Sequence, residues 1–148
     1  MSDIIDGNAI NTSPKSIIKF TDLEAKFLAD HEICRLSTSN KNIPHVAPVS
    51  YIFEDGKFAF ATDYQTKKYR NIVKNNKVAL VVDTYQSSID NKAVVIDGNA
   101  EILEEGPEFK RLYKKFYERF EWVRKEPWKQ GEAPIVIVTA THKVSWRI

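Results

Sequence analysis

Apolar and polar residues alternate with period two along much of this chain, and at three places the spacing changes to that of a helix. The first helical segment opens on a capping box, Thr21-Asp22-Leu23-Glu24, with Leu23, Phe27 and Leu28 on its apolar side to about His31. Strands follow at about 33–38, 44–53 and 57–62, the last two joined by a tight turn at Asp55-Gly56. A second helix starts at Thr66 with Tyr69, Ile72 and Val73 as its stripe, and Val78 to Val82 is an unbroken apolar run that predicts a strand buried on both faces. Tyr85 to Asn91 is polar and predicts a loop. Ala93 to Leu103 alternates around Gly98, and a glycine inside a strand marks a bulge or bend, the device by which sheets curl into barrels.

Gly106-Pro107 opens the longest helix, whose stripe is Phe109, Leu112, Tyr113, Phe116 and Phe120; this stripe is either core or interface. Glu126 to Pro134 is irregular, Ile135 to Ala140 is a strand, and Thr141 to Ile148 is a second short strand with alternating faces. Residues 1–16, rich in Gly, Asn, Thr, Ser and Pro, form a mobile arm or an extended segment laid on a partner, ahead of one domain at 17–148. Six to seven mostly adjacent strands with about three helices predict a mainly β (α+β) fold, an antiparallel barrel with helices at its ends.

Two places carry candidate chemistry. In Phe58-Ala59-Phe60-Ala61-Thr62 the small side chains share one face, which suits either a flat ring laid on the backbone or close packing of a neighbouring element. Thr66-Lys67-Lys68 puts a hydroxyl and two cations at a helix N-terminus, where unpaired amides and the dipole favour an anion such as phosphate. Lys68 borders Ile72 and so reaches inward better than Lys67 or Lys74, the competing reading being a solvated face with snorkelling lysines.

Composition narrows the classes. A chain of 148 residues, 43% hydrophobic, buries about two-thirds of its unfolded surface without staples. The single cysteine, Cys34, lies in the apolar strand Ile33 to Leu36 and reads as core; His31, His45 and His142 are scattered without metal-ligand spacing, so no metal site is expected. No apolar run reaches the roughly 20 residues that cross a bilayer and the N-terminus lacks a signal-peptide pattern, so a cytoplasmic location is expected, with no membrane partner. A net charge of +2 gives no argument for nucleic acid, and the basic residues Lys67, Lys68, Arg70, Lys74 and Lys77 read as ligand-binding or solvated.

The order Leu36-Ser37-Thr38, Ile43 to Val49, Asp55 to Thr62, Thr66 to Ile72, Val78 to Asp83 and Val94 to Ile102 resembles the pyridoxamine 5'-phosphate oxidase-like family of FMN-binding split barrels. The resemblance covers about residues 22–103. It implies a split antiparallel β-barrel of Greek-key type, a homodimer, and FMN bound in the cleft between subunits. Its phosphate would be held by Thr66, Lys67 and Lys68 with Ala61 and Thr62, and its ring would lie beside Ala47, Pro48, Val49 and Ser50, whose backbone faces the ring's polar edge. Trp146 would either pack on the ring across the dimer or anchor the C-terminus. Two positions depart from the true oxidase, where an arginine matches Ala47 and a glutamine matches Ala93; its C-terminal arginine and histidine pattern is also missing from Val144 to Ile148. The resemblance therefore implies a flavin-dependent oxidoreductase acting on another small molecule, with a deazaflavin-dependent reductase or a non-enzymatic flavin or haem carrier as alternatives. No acid-base pair stands out as catalytic, and His45 reads as surface or structural.

Overall fold

Residues at two tight turns force the chain back on itself. Lys41-Asn42 and Asp55-Gly56 all adopt positive φ, at 53°, 63°, 51° and 75°, the combination whose twist matches that of the antiparallel strands it joins. These turns connect β1 (Ile33–Asn40), β2 (Ile43–Glu54) and β3 (Lys57–Ala61). The computed structural model describes residues 18–148; the expected N-terminal arm lies outside the described residues. The remaining elements are α1 (Asp22–Asp30), α2 (Lys67–Lys74), β4 (Lys77–Ser87), β5 (Asp90–Leu103), α3 (Pro107–Arg119), α4 (Glu121–Lys125) and β6 (Ile135–Trp146). Every strand pairing is antiparallel, and the order β1-β2-β3-β6-β5-β4 closes on itself through Arg35–Ser37 of β1 against Ala79–Val81 of β4.

The barrel interior is filled by alternate residues of every strand, among them Cys34, Leu36, Tyr51, Phe58, Phe60, Leu80, Val82, Ile96 and Val138. Of the run Val78 to Val82, residues 78, 80 and 82 point inward, while Ala79 and Val81 are half-buried on the outer face. Burial pushes the Cys34 thiol up to about 12, so it behaves as a small hydrophobe.

A second core lies outside the barrel. Phe109, Leu112 and Phe116 of α3, with Phe120 between the two helices and Val123 of α4, pack on Ile52, Ala59 and Ile135 of the outer sheet face. The aromatic stripe is thus core, and the small side chain at Ala59 is what lets α3 approach. Glu54 fastens the same helix through Arg111 and, at 3.2 Å, Lys115.

Three expectations need correction. The C-terminal segment is one strand rather than two, because Gly98 opposes Ala140 while Asp97 opposes His142. Thr141 is left over as a bulge that bends β6 without ending it, and its hydroxyl donates to the Asp97 carbonyl at 3.2 Å. A Cβ at Gly98 would stand 2.7 Å from the Thr139 carbonyl oxygen, so only glycine fits this crossing. Most of Tyr85 to Asn91 belongs to β4 and β5, which shortens the expected loop to a tight turn. Among the described residues there are four helices rather than about three; α4, five residues long, is too short to show a helical period.

The capping box at α1 has a further use. Glu24 accepts from the Thr21 N–H at 2.9 Å, from Ser145 at 2.5 Å and from Lys143, tying the start of α1 to the end of β6. Burial alone would raise this carboxyl, but the donors from Lys143, Ser145 and Thr21 outweigh it and hold it at about 2.

Candidate functional site

Thr62, Thr66 and the start of α2 form one hydrogen-bonded unit. The Thr66 hydroxyl donates to the Asp63 carbonyl at 2.9 Å, lies 2.9 Å from the Thr62 hydroxyl and accepts from the Tyr69 N–H at 3.3 Å. Thr66 is therefore the N-cap, its hydroxyl committed to shaping the turn. The Arg70 N–H takes the Thr66 carbonyl at 3.2 Å, which leaves the Lys67 and Lys68 amides as the helix-start donors without an intrahelical partner. The Thr62 N–H donates to the Pro134 carbonyl at 3.3 Å, fixing the unit to the entry of β6. On the far side, Asn71 is buried and donates to the Thr38 hydroxyl at 3.1 Å, locking α2 to β1.

A cavity of about 290 Å³ opens at this helix start, lined by Ala61, Thr62, Asp63, Thr66 and Lys68 together with Trp122, Glu126, Trp128, Glu132 and Ala133. Lys68 lines it; Lys67 is exposed and does not. Val73, expected in the apolar stripe, is 57% exposed, so α2 buries chiefly Ile72 and Asn71. The indole of Trp122 donates to the Ser50 hydroxyl at 3.2 Å, joining this cavity to β2.

β2 carries further site residues that the sequence suggests, and none of them lines this cavity. The Tyr51 N–H donates to the Glu32 carbonyl at 2.9 Å, which sets the phase of the ladder: odd-numbered residues of β2 exchange backbone bonds with β1, and even-numbered ones turn theirs to the opposite edge. β3 pairs with that edge only over Tyr51 to Glu54. Pro44 and Pro48 stand on the unpaired stretch, where a missing N–H costs no ladder bond, and the carbonyls of Pro44, Val46 and Pro48 with the Val46 N–H face away from β1. Side chains of Pro48 and Ser50 point outward; Val49, 7% exposed, points into the barrel, as Ala47 does beside Leu36. Ala47 and Val49 contribute backbone shape, and the outward and edge-facing groups belong to even-numbered residues.

Trp146 is not brought to this place within one chain. It lies at the opposite end of β6 from Ile135, the partner of Ala61, and its indole donates to Asn91 at 2.7 Å. The Asn91 amide in turn donates to the carbonyls of Ser87 and Ser88 at 3.0 and 3.2 Å, closing the β4–β5 turn. Sequence patterning missed Trp122 and Trp128, because neither belongs to a periodic segment.

The residues at the helix start fit a flavin phosphate: Thr62, Thr66 and Lys68 line a cavity of about 290 Å³ at a helix start whose first amides have no intrahelical partner. A closed barrel of six antiparallel strands with helices packed around it defines a class, the split barrels. The sequence matches the family model described as pyridoxamine 5'-phosphate oxidase over residues 20–143, and the chain belongs to that family. Among solved structures it is similar to an FAD-binding protein from Mesorhizobium loti, with 21% identity, 85% of this chain and 94% of that one covered and a TM-score of 0.69. The haem storage protein HutZ of Vibrio cholerae aligns with 13% identity over 80% of this chain and 89% of that one, with a TM-score of 0.71. General stress protein 26 of Bacillus anthracis aligns with 21% identity over 82% and 89%, with a TM-score of 0.65. These likenesses show the shared fold. No curated protein matches the sequence.

Proposed function

We propose that the protein binds FMN, with its phosphate at the start of α2, and serves as a flavin-dependent oxidoreductase for a small molecule. The observation that carries this reading is the Thr62, Thr66 and Lys68 cradle with its two free amides, which matches the chemistry of a phosphate monoester. Lys68 and the amides of Lys67 and Lys68 would hold the phosphate, and the outward face and open edge of β2 from Pro44 to Ser50 would seat the ring. The flavin supplies the redox chemistry when bound; this chain binds it, orients it and shields one side from water.

Asp63, Glu126 and Glu132 line the cavity beside Lys68, so Lys68 and the helix-start amides hold the phosphate against these carboxylates, and a deazaflavin coenzyme with a long acidic tail would meet added repulsion there. Haem is less well served, since no histidine, cysteine or methionine is among the residues lining the cavity. The His31 Nδ1 is taken by the Phe27 carbonyl at 2.6 Å.

The functional unit is proposed to be a homodimer. Pro48, Arg35, Val81, Val95 and Val144 stand in register across β2, β1, β4, β5 and β6, and Val46 and Val144 on this outer face are 64% and 50% exposed. This band spans five strands and is apolar except at Arg35, which is exposed; it is what a second copy would cover. The visible absorbance spectrum of the purified protein tests the cofactor assignment: an FMN spectrum supports it, and a haem or deazaflavin spectrum contradicts it.

A further inference from the structure

Four aromatic side chains converge near the cavity. Trp122 and Trp128 are stacked with ring centroids 6.0 Å apart and planes 9° from parallel. Phe120 backs Trp122 at 6.3 Å and 22°, and Tyr113 meets Trp128 edge-on at 4.8 Å and 90°. The backbone N–H of Trp128 also donates to the Tyr113 hydroxyl at 3.1 Å. The two indoles are thus packed against aromatic neighbours while both line the cavity.

Packing alone does not account for Trp122. The residue is 44% exposed, although a large apolar ring gains most from full burial. Its polar atom is tied to Ser50, a β2 residue beside the open strand edge, so the indole is fixed in orientation while part of its surface stays uncovered. The Trp128 Nε1, by contrast, is buried with no partner among the described residues, an uncommon state for an indole N–H. The lining of one cavity therefore includes both the helix-start cradle and an oriented, partly bare indole. A ligand that carries a phosphate and a flat ring on one flexible linker satisfies both.

We infer that Trp122, tethered by Ser50 and backed by Phe120 and Trp128, is the chain's own stacking contact for the ring of the bound cofactor. This rests on the FMN reading above. An indole against a flavin quenches its emission by transient electron transfer in the excited state, so the contact has a readout apart from activity. Titrating the full-length protein with FMN, followed by absorbance and by flavin fluorescence, should show bound flavin that is strongly quenched. Trp122→Leu should bind FMN about two- to tenfold more weakly, the loss of one aromatic pair, and its bound flavin should regain emission. Ser50→Ala, which keeps the indole and removes only the tether, should give emission between the two.

Bound FMN equally quenched in the wild type and in Trp122→Leu would overturn the inference and leave the FMN reading standing. Emission regained in Trp128→Leu but not in Trp122→Leu would assign the contact to the wrong indole. Absence of FMN binding by the wild type would overturn both readings.

Discussion

Lys68 and Lys74 share one short helix and differ in what they face. Lys68 lines the cavity at the helix start, and Lys74 stands in the last turn, exposed. A charge-assisted contact to phosphate contributes on the order of 1.5 to 3 kcal/mol, so Lys68→Ala should weaken FMN binding about ten- to a hundredfold in an equilibrium titration. Lys74→Ala should change it little; equal losses would point to diffuse electrostatics. Glu24 gives a prediction in pH. Its carboxyl is held at about 2 against an ordinary 4.5, so the folded state gains stability above about pH 4.5 and loses it as the pH falls toward 2. The full shift corresponds to on the order of 3 kcal/mol. Glu24→Gln abolishes this titration, and the difference in melting temperature between wild type and variant should shrink across that window and stay level above pH 5. The cradle residues Thr62, Thr66 and Lys68 were legible in the sequence because a helix start after a hairpin has its own signature. Trp122 was not, since its place depends on a contact with Ser50, 72 residues away.

Elements were legible wherever burial imposed a period. The hairpin at Asp55-Gly56 and the capped α1 stand where the sequence placed them, because turn and cap chemistry is local. The last strand was read as two because its alternation shifts at Thr141, and the shift is a bulge set by Gly98 on the neighbouring strand. Gly98→Ala would drive a Cβ against the Thr139 carbonyl and Val138, at 2.7 and 2.8 Å. The expected cost is about 1 to 3 kcal/mol, seen as a melting temperature lower by several degrees. An unchanged melting temperature would mean that the bulge tolerates a side chain. At the other end of β6, Trp146 secures the β4–β5 turn through Asn91. Trp146→Ala should accordingly lower the apo-protein melting temperature; unchanged melting with an altered bound-flavin spectrum would instead favour the ring contact across a dimer.

At the scale of the whole molecule, the barrel and its outer α3–α4 layer leave, among the described residues, a band from Pro48 to Val144 uncovered, apolar except at Arg35. If a second copy covers it, the wild type sediments as a dimer at micromolar concentration, and Val144→Asp, which buries a charge in that contact, sediments as a monomer with its melting little changed. A monomeric wild type, with and without FMN, would contradict the dimer. No helix among the described residues is long and apolar enough to cross a membrane. The central claim is that this barrel recognises a phosphate at the start of α2, and the most direct measurement compares FMN with riboflavin, the same ring without the phosphate, on the wild type and on Lys68→Ala. The account predicts that the wild type prefers FMN by at least tenfold and that Lys68→Ala loses most of that preference while its riboflavin affinity barely moves. Equal affinity of the wild type for the two flavins would contradict it.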